Sequence, residues 1–295
     1  MNCLICHKSI QTKVPYPSKN AKEKEFFEEI AYCEDCNYGF ALPYRSQEEL
    51  SKIYTDGSYW DDVPTTPEFF KYQVSQCKHR IERVLKYVNF QNKKTLKVLD
   101  IGSGNCPLGE ALKKQPWDLI LQYDFLEPDL SKGPKPNTPK NFSQNRLLSL
   151  DGEEKYDIIF LNHVLEHVAS PKDFLLELKN KLSQSGILYV ETPYLDHLHK
   201  EEVFPHCHFF SEEAVKTINQ QAGLQTISSS KFGIKVSTVS LFDKINLKVL
   251  SLLSKSNFDG IYNRVANRTY GFKNEEEGNQ WVYWITKPKR INLND

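Results

Sequence analysis

The chain has 295 residues, 38 basic against 38 acidic side chains, an apolar share of 39% and seven cysteines. Such a composition can build a core and excludes a disordered chain, while zero net charge removes any global pull toward nucleic acid or an anionic membrane. No apolar run reaches the ~18 residues of a bilayer span, and the N-terminus lacks a secretory signal's apolar stretch and cleavage site, so the cytoplasm is the expected compartment.

Thiols stay reduced there, and clustered cysteines point to metal or catalysis rather than disulfides. Cys3-Leu-Ile-Cys6 and Cys33-Glu-Asp-Cys36 form two CxxC knuckles with 26 residues between them. Each knuckle places two thiolates on one side of an ion, and two knuckles complete a tetrahedron of sulfurs. Residues 1–45 are therefore read as a ribbon holding a structural Zn2+, with no coordination position left for catalysis. A segment this short holds no core unaided, so metal would help it fold. Cys77, Cys106 and Cys207 are scattered and read as packing residues.

Gly39 to Pro43 reads as the ribbon's closing strand and turn, and residues 46–54 as a short helix opened by Ser46. Tyr54, Tyr59 and Trp60 surround an Asp56-Gly57 turn. Pro67 begins a longer helix to about Val88, with Phe70, Val74, Ile81, Val84 and Leu85 at helical spacing. Residues 46–90 thus make a helical cap or linker, and 91–295 the main domain.

From Leu96 onward short apolar strands alternate with helices, the pattern of an α/β sheet. Strands are expected at Leu96–Ile101, Ile120–Leu126, Tyr156–Asn162, Ile187–Thr192, Leu224–Ser229 and Gln280–Thr286. Helices are expected at Pro107–Lys114, Pro171–Leu182 and Ser211–Ala222. Pro128 to Phe142 reads as a proline-rich loop, and 233–277 as a mainly helical insert whose apolar part is Leu241 to Leu253.

Asp100-Ile101-Gly102-Ser103-Gly104 is a D-x-G-x-G turn between the first of these strands and a helix. Glycines there let the backbone approach a ligand, at the strand end where open α/β sheets bind. The next glycine, Gly109, falls two positions late for a dinucleotide fingerprint, and no Gly-Lys-Ser/Thr follows for a phosphate loop.

With its flanking strand, Val98 to Gly104 resembles the first motif of class I S-adenosylmethionine-dependent methyltransferases. The resemblance covers about residues 90–295 and implies a doubly wound, seven-stranded, Rossmann-like sheet. It also implies that Asp100, Gly102 and Gly104 face the methionine part of the cofactor. Glu127, ending the second strand, matches the acid that holds the ribose hydroxyls, and a carboxylate's two oxygens suit a vicinal diol. Asn162-His163-Val164-Leu165-Glu166-His167 is similar to the segment after the fourth strand, which adds Asn162 and His163 to the implied cofactor residues. The N-terminal ribbon with its following helix looks like the leader of a subgroup acting on sugars and surface glycans.

Methyl transfer from a sulfonium is an in-line displacement, and a hydroxyl nucleophile must also lose a proton, usually to a histidine. His206-Cys207-His208-Phe209-Phe210-Ser211 resembles the His-Glu-His region of deoxysugar C-methyltransferases, with Cys207 in the glutamate's place. That departure favours O-methylation, with His208 as base and Glu166 and His167 as further catalytic candidates. Ubiquinone-pathway O-methyltransferases carry a Glu-x-x-Glu-His metal site here, and this chain has His163, Glu166 and His167 instead. The expected enzyme therefore O-methylates a sugar or glycan intermediate, with Tyr59 and Trp60 in a lid. Rival readings are a quinone-like small-molecule methyltransferase, an RNA methyltransferase, which the neutral charge balance disfavours, and a cofactor-binding module without catalysis.

Overall fold

The computed structural model describes residues 1–55, 66–91, 93–134, 139–233 and 280–289. Tyr59, Trp60 and the 233–277 insert beyond Gly233 lie outside the described residues.

The N-terminal part contains strand β1 (Thr12–Pro15), helix α1 (Ala21–Phe26) and strands β2 (Glu29–Cys33) and β3 (Tyr38–Leu42). Helices α2 (Gln47–Thr55) and α3 (Pro67–Leu85) follow. Pro67 opens α3 at its first turn, where the missing N–H costs nothing, and the Thr66 side chain accepts from the Phe69 amide.

The main domain then runs β4 (Thr95–Ile101), α4 (Pro107–Lys113), β5 (Ile120–Leu126), β6 (Phe142–Leu147), β7 (Tyr156–Asn162), α5 (Pro171–Lys181) and β8 (Leu182–Pro193). After these come β9 (His208–Phe209), α6 (Glu212–Gln221), β10 (Leu224–Phe232) and β11 (Trp281–Pro288). Seven strands form one sheet in the order β10-β11-β8-β7-β4-β5-β6, and β11 alone is antiparallel to its neighbours. Strand order reverses between β4 and β7, so the crevice beyond their carboxyl ends is the ligand position of a doubly wound sheet.

Alternation along the strands feeds two cores. Leu99, Ile101, Ile159 and Leu161 pack with Leu175 and Leu178 of α5 and Ile218 of α6. Leu96, Val98, Ile158 and Phe160 pack on the other face with Val84 of α3 and Leu112 of α4. Helices thus cover both faces, and the strands read as near-continuous apolar runs for that reason.

Three features depart from the expectations. First, β6 was not foreseen: Phe-Ser-Gln-Asn-Arg-Leu is polar because it is an edge strand, paired among the described residues only through β5. Second, α1 lies between the two cysteine knuckles, where no helix was expected. Third, the ribbon sheet has a fourth strand taken from the main domain. Its order is β1-β2-β3-β9, with Gly39 opposite Phe209 and Phe40 opposite His208. Tyr16, Phe27, Ile30 and Leu50 share a core with Leu195, Val203, Cys207 and Phe209. Packing is therefore continuous across the boundary placed at residue 45.

Candidate functional site

A cavity of about 580 Å³ opens at the carboxyl ends of β4, β5 and β7. Gly102, Leu126 and Glu127 line its floor, His163, Val164 and His167 one wall, Phe174 and Glu177 of α5 another, and Gln47, Ser51 and Tyr54 of α2 its roof. Gly102 sits at φ +66°, and a Cβ there would stand 2.4 Å from Val164 Cγ2. Its N–H donates to the Leu126 carbonyl at 2.8 Å, which ties the turn after β4 to the end of β5. Glu127 is fixed in the same way: Gly104 N–H donates to Oε2 at 2.7 Å and Asp129 N–H to Oε1 at 3.0 Å. Burial raises the Glu127 carboxyl above its ordinary range, while these two amides pull it back. Arg146 of β6 donates to the carbonyls of Glu127 and Lys132 and stacks on Phe125, holding the loop behind that carboxylate.

Of the residues assigned to the cofactor from sequence, Gly102, Glu127 and His163 line the cavity. Asp100 and Gly104 are not among its lining residues. The Asp100 carboxylate is buried and accepts from Tyr123 Oη at 2.6 Å; burial, partly offset by that bond, raises its pKa to about 7. Asn162 ends β7 with its side-chain oxygen buried outside the lining.

A row of alternating charges runs behind the cavity wall. Arg80 Nε donates to Glu191 Oε2 at 3.0 Å, and Tyr189 Oη donates to the same oxygen at 2.7 Å. His163 Nε2 stands 3.1 Å from Glu191 Oε1, and its Nδ1 stands 3.5 Å from Glu166 Oε1. Glu166 is in turn 3.9 Å from His167 Nε2. The His167 ring meets His206 edge to face at 4.8 Å, and His206 Nδ1 lies 3.0 Å from Asp196 Oδ2. Burial opposes protonation of His163, but Glu166 and Glu191 outweigh it and raise its pKa to about 9. Burial would likewise raise Glu191, yet Arg80 and His163 hold it well below the carboxylate range. Arg80, Glu191, protonated His163 and Glu166 therefore sum to zero charge, which a buried network requires. His167 differs: burial dominates and lowers its pKa to about 3, leaving a neutral imidazole facing the cavity.

His208, the expected base, is placed elsewhere. It is 2% exposed, within β9, and off the cavity lining. Its Nε2 lies 2.8 Å from the Val168 carbonyl, which can only accept, so Nε2 carries the proton. Nδ1 then accepts from Tyr38 Oη at 2.5 Å. Both nitrogens are occupied, and burial lowers the ring's pKa to about 4. Off the cavity lining and with both nitrogens engaged, His208 is not placed where the expected base must stand. The sequence also gave no direct sign of Arg80, whose partner Glu191 lies 111 positions away. Glu191 itself was visible as a lone acid closing an apolar strand, and His206 as the first histidine of its motif.

Among the described residues two donor clusters can hold a cation. The Sγ atoms of Cys3 and Cys36 are 3.4 Å apart and those of Cys6 and Cys33 3.5 Å apart, and all four cysteines are free thiols. Tetrahedral Zn–S bonds of ~2.3 Å place sulfurs ~3.8 Å apart, so the set fits one ion with a small expansion. The second cluster is Glu166, His167 and His206, with donor atoms within 4.8 Å of one another. His206 replaces the expected His163, which is turned toward Glu191.

Residues 69–229, more than half of the chain, match a methyltransferase domain family. The ubiquinone biosynthesis O-methyltransferase of Rickettsia bellii is 26% identical over 149 residues, 49% of this chain and 60% of that protein. Its counterpart in Rickettsia prowazekii is 25% identical over 119 residues, 38% and 47% of the two chains. The match thus spans 60% or less of these relatives' own length. Among solved structures, coclaurine N-methyltransferase bound to N-methylheliamine and SAH superposes with a TM-score of 0.48 at 15% identity, covering 82% of this chain and 86% of that one.

Proposed function

Because the chain belongs to the methyltransferase domain family and is an S-adenosylmethionine-dependent enzyme, we propose that it O-methylates a small hydroxylated acceptor of the sugar or glycan-intermediate type. The observation that carries this reading is that Gly102, Glu127 and a neutral His167 face one cavity. S-adenosylmethionine would lie over the glycine turn with its ribose hydroxyls on Glu127 and supply the methyl group. An acceptor under α2 then approaches from the His167 side, and the cavity's work is to align it and exclude water. His167 receives the acceptor proton, and Glu166, 3.9 Å behind it, stabilises the imidazolium that forms. His163, already charged, supplies a fixed positive field rather than a base. The charged groups among the described lining residues are three carboxylates (Glu127, Asp173, Glu177) and one protonated histidine (His163), which favours a neutral acceptor over a phosphorylated one.

The Glu166, His167 and His206 cluster favours a second reading, in which a divalent ion lowers the acceptor's pKa. His206 is oriented for that role by Asp196, as a carboxylate on the far ring nitrogen orients a ligating imidazole. Relatives named as ubiquinone biosynthesis O-methyltransferases make a phenolic, quinone-like acceptor the natural partner of that chemistry. In both readings Cys3, Cys6, Cys33 and Cys36 hold one structural Zn2+.

Calorimetry with S-adenosylmethionine, on the parent and on Glu127→Ala, tests the cofactor site. The parent should bind, and the variant should lose about tenfold or more in affinity, as expected when a buried charge-assisted pair is removed. No binding by the parent sinks the enzyme reading. Transfer of labelled methyl to neutral sugars without added metal supports the first reading. Transfer to catechols only with Mn2+ or Mg2+ supports the second.

A further inference from the structure

The loop between β7 and α5 carries Glu166 and His167, and three of its carbonyls and one of its amides are bonded to residues 207–208 or to the N-terminal part of the chain. The Glu166 carbonyl accepts from Cys207 N–H at 2.8 Å and from Cys207 Sγ at 3.2 Å. The Val168 carbonyl accepts from His208 Nε2 at 2.8 Å. Ala169 is held at both ends: its carbonyl accepts from Tyr44 Oη, and its N–H donates to Gln47 Oε1 at 2.9 Å. Cys207 and His208 are themselves fixed by the ribbon. The Cys207 carbonyl accepts from Ala41 N–H at 2.9 Å, Phe40 pairs with His208, and Tyr38 Oη closes on His208 Nδ1. Just past β9, Ser211 Oγ donates to the carbonyl of Cys36, one of the four clustered cysteines.

We propose that the cysteine ribbon is the positioning element of the catalytic loop, with His208 as the strut that transmits its order. A metal on Cys3, Cys6, Cys33 and Cys36 fixes the turn between β2 and β3. β3 fixes β9, and β9 holds the carbonyls on either side of His167. Ribbon loading would then set how well His167 is aimed into the cavity, while the glycine turn, built on β4 and β5, is indifferent to it. The catalytic meaning of this coupling rests on the function proposed above; the coupling itself does not.

Amide hydrogen exchange on the full chain, zinc-loaded and after chelation with zinc content measured, reads the coupling directly. Unloading should speed exchange about tenfold or more in 163–170 and 206–210, the loss of one or two structural hydrogen bonds, and leave 98–104 unchanged. Two metal-loaded variants guard against general unfolding. His208→Ala should loosen 163–170 and shift the His167 ring resonance, whereas His208→Gln, whose amide can still donate to Val168, should restore both. The proposal fails if the loop's exchange is unchanged while ribbon residues 3–42 lose protection. It fails equally if the ribbon takes up no metal, or if His208→Ala leaves the His167 resonance where it was. Binding of S-adenosylhomocysteine, followed in parallel, separates the two claims: its absence in the loaded parent removes the enzyme reading and leaves the exchange result standing.

Discussion

Two residues of the glycine turn show how narrow the site's tolerances are. Gly102 has a left-handed backbone and a neighbour, Val164 Cγ2, 2.4 Å from where a Cβ would stand. Gly102→Ala should therefore cost at least ~1–2 kcal/mol from the backbone alone, about tenfold in S-adenosylhomocysteine affinity by calorimetry if Val164 shifts into the cavity. Asp100 makes a prediction about pH. Its folded pKa, about 7, lies above the ordinary aspartate value, so the folded state keeps a proton that the unfolded chain releases. Its contribution to stability is present at acid pH and is lost as pH rises through about 7. Asp100→Asn keeps an acceptor for Tyr123, so the variant should gain at least ~1 kcal/mol on the parent between pH 5 and 8 in paired denaturant titrations. The turn was legible in sequence because glycine spacing is a local signal. Which histidine faces the cavity was not: His167 and His208 look alike in the chain, and only their partners and position, which are non-local, separate them.

Elements are joined by polar contacts as much as by apolar ones. Arg80 of α3 and Glu191 of β8 form a buried pair, with Glu191 fully enclosed. Arg80→Met should destabilise the fold by ~3–5 kcal/mol in urea titration, because it leaves the buried network one negative charge in excess. Adding Glu191→Gln should recover part of that loss, and no recovery would mean that Arg80 acts through packing instead. The helices and buried strands were readable because 3.6-residue and continuous apolar patterns survive without context. The edge strand β6 and the two-residue β9 were not, since a polar sequence and a pairing partner on the far side of the chain leave no periodic trace.

The described residues form one fold in which a four-cysteine N-terminal sheet, a helical roof and a seven-stranded sheet share cores, and no helix among them is long and apolar enough to cross a membrane. Division into ribbon, cap and main domain follows composition well and packing poorly. A fragment of residues 1–45 should bind one metal yet self-associate in light scattering, because β3 is left with an uncovered edge. The full chain under the same conditions should not associate through that edge.

Closing the ribbon sheet with β9 also imposes a timetable on biosynthesis. Tyr38 and His208 are 170 positions apart. At ~5–20 residues per second a ribosome needs roughly 10–30 s to cover that distance, and during it the nascent hairpin waits with one side unpaired. Metal captured early would keep the waiting hairpin in register, so zinc scarcity during translation should lower the yield of folded chain more than the same scarcity imposed on the finished protein.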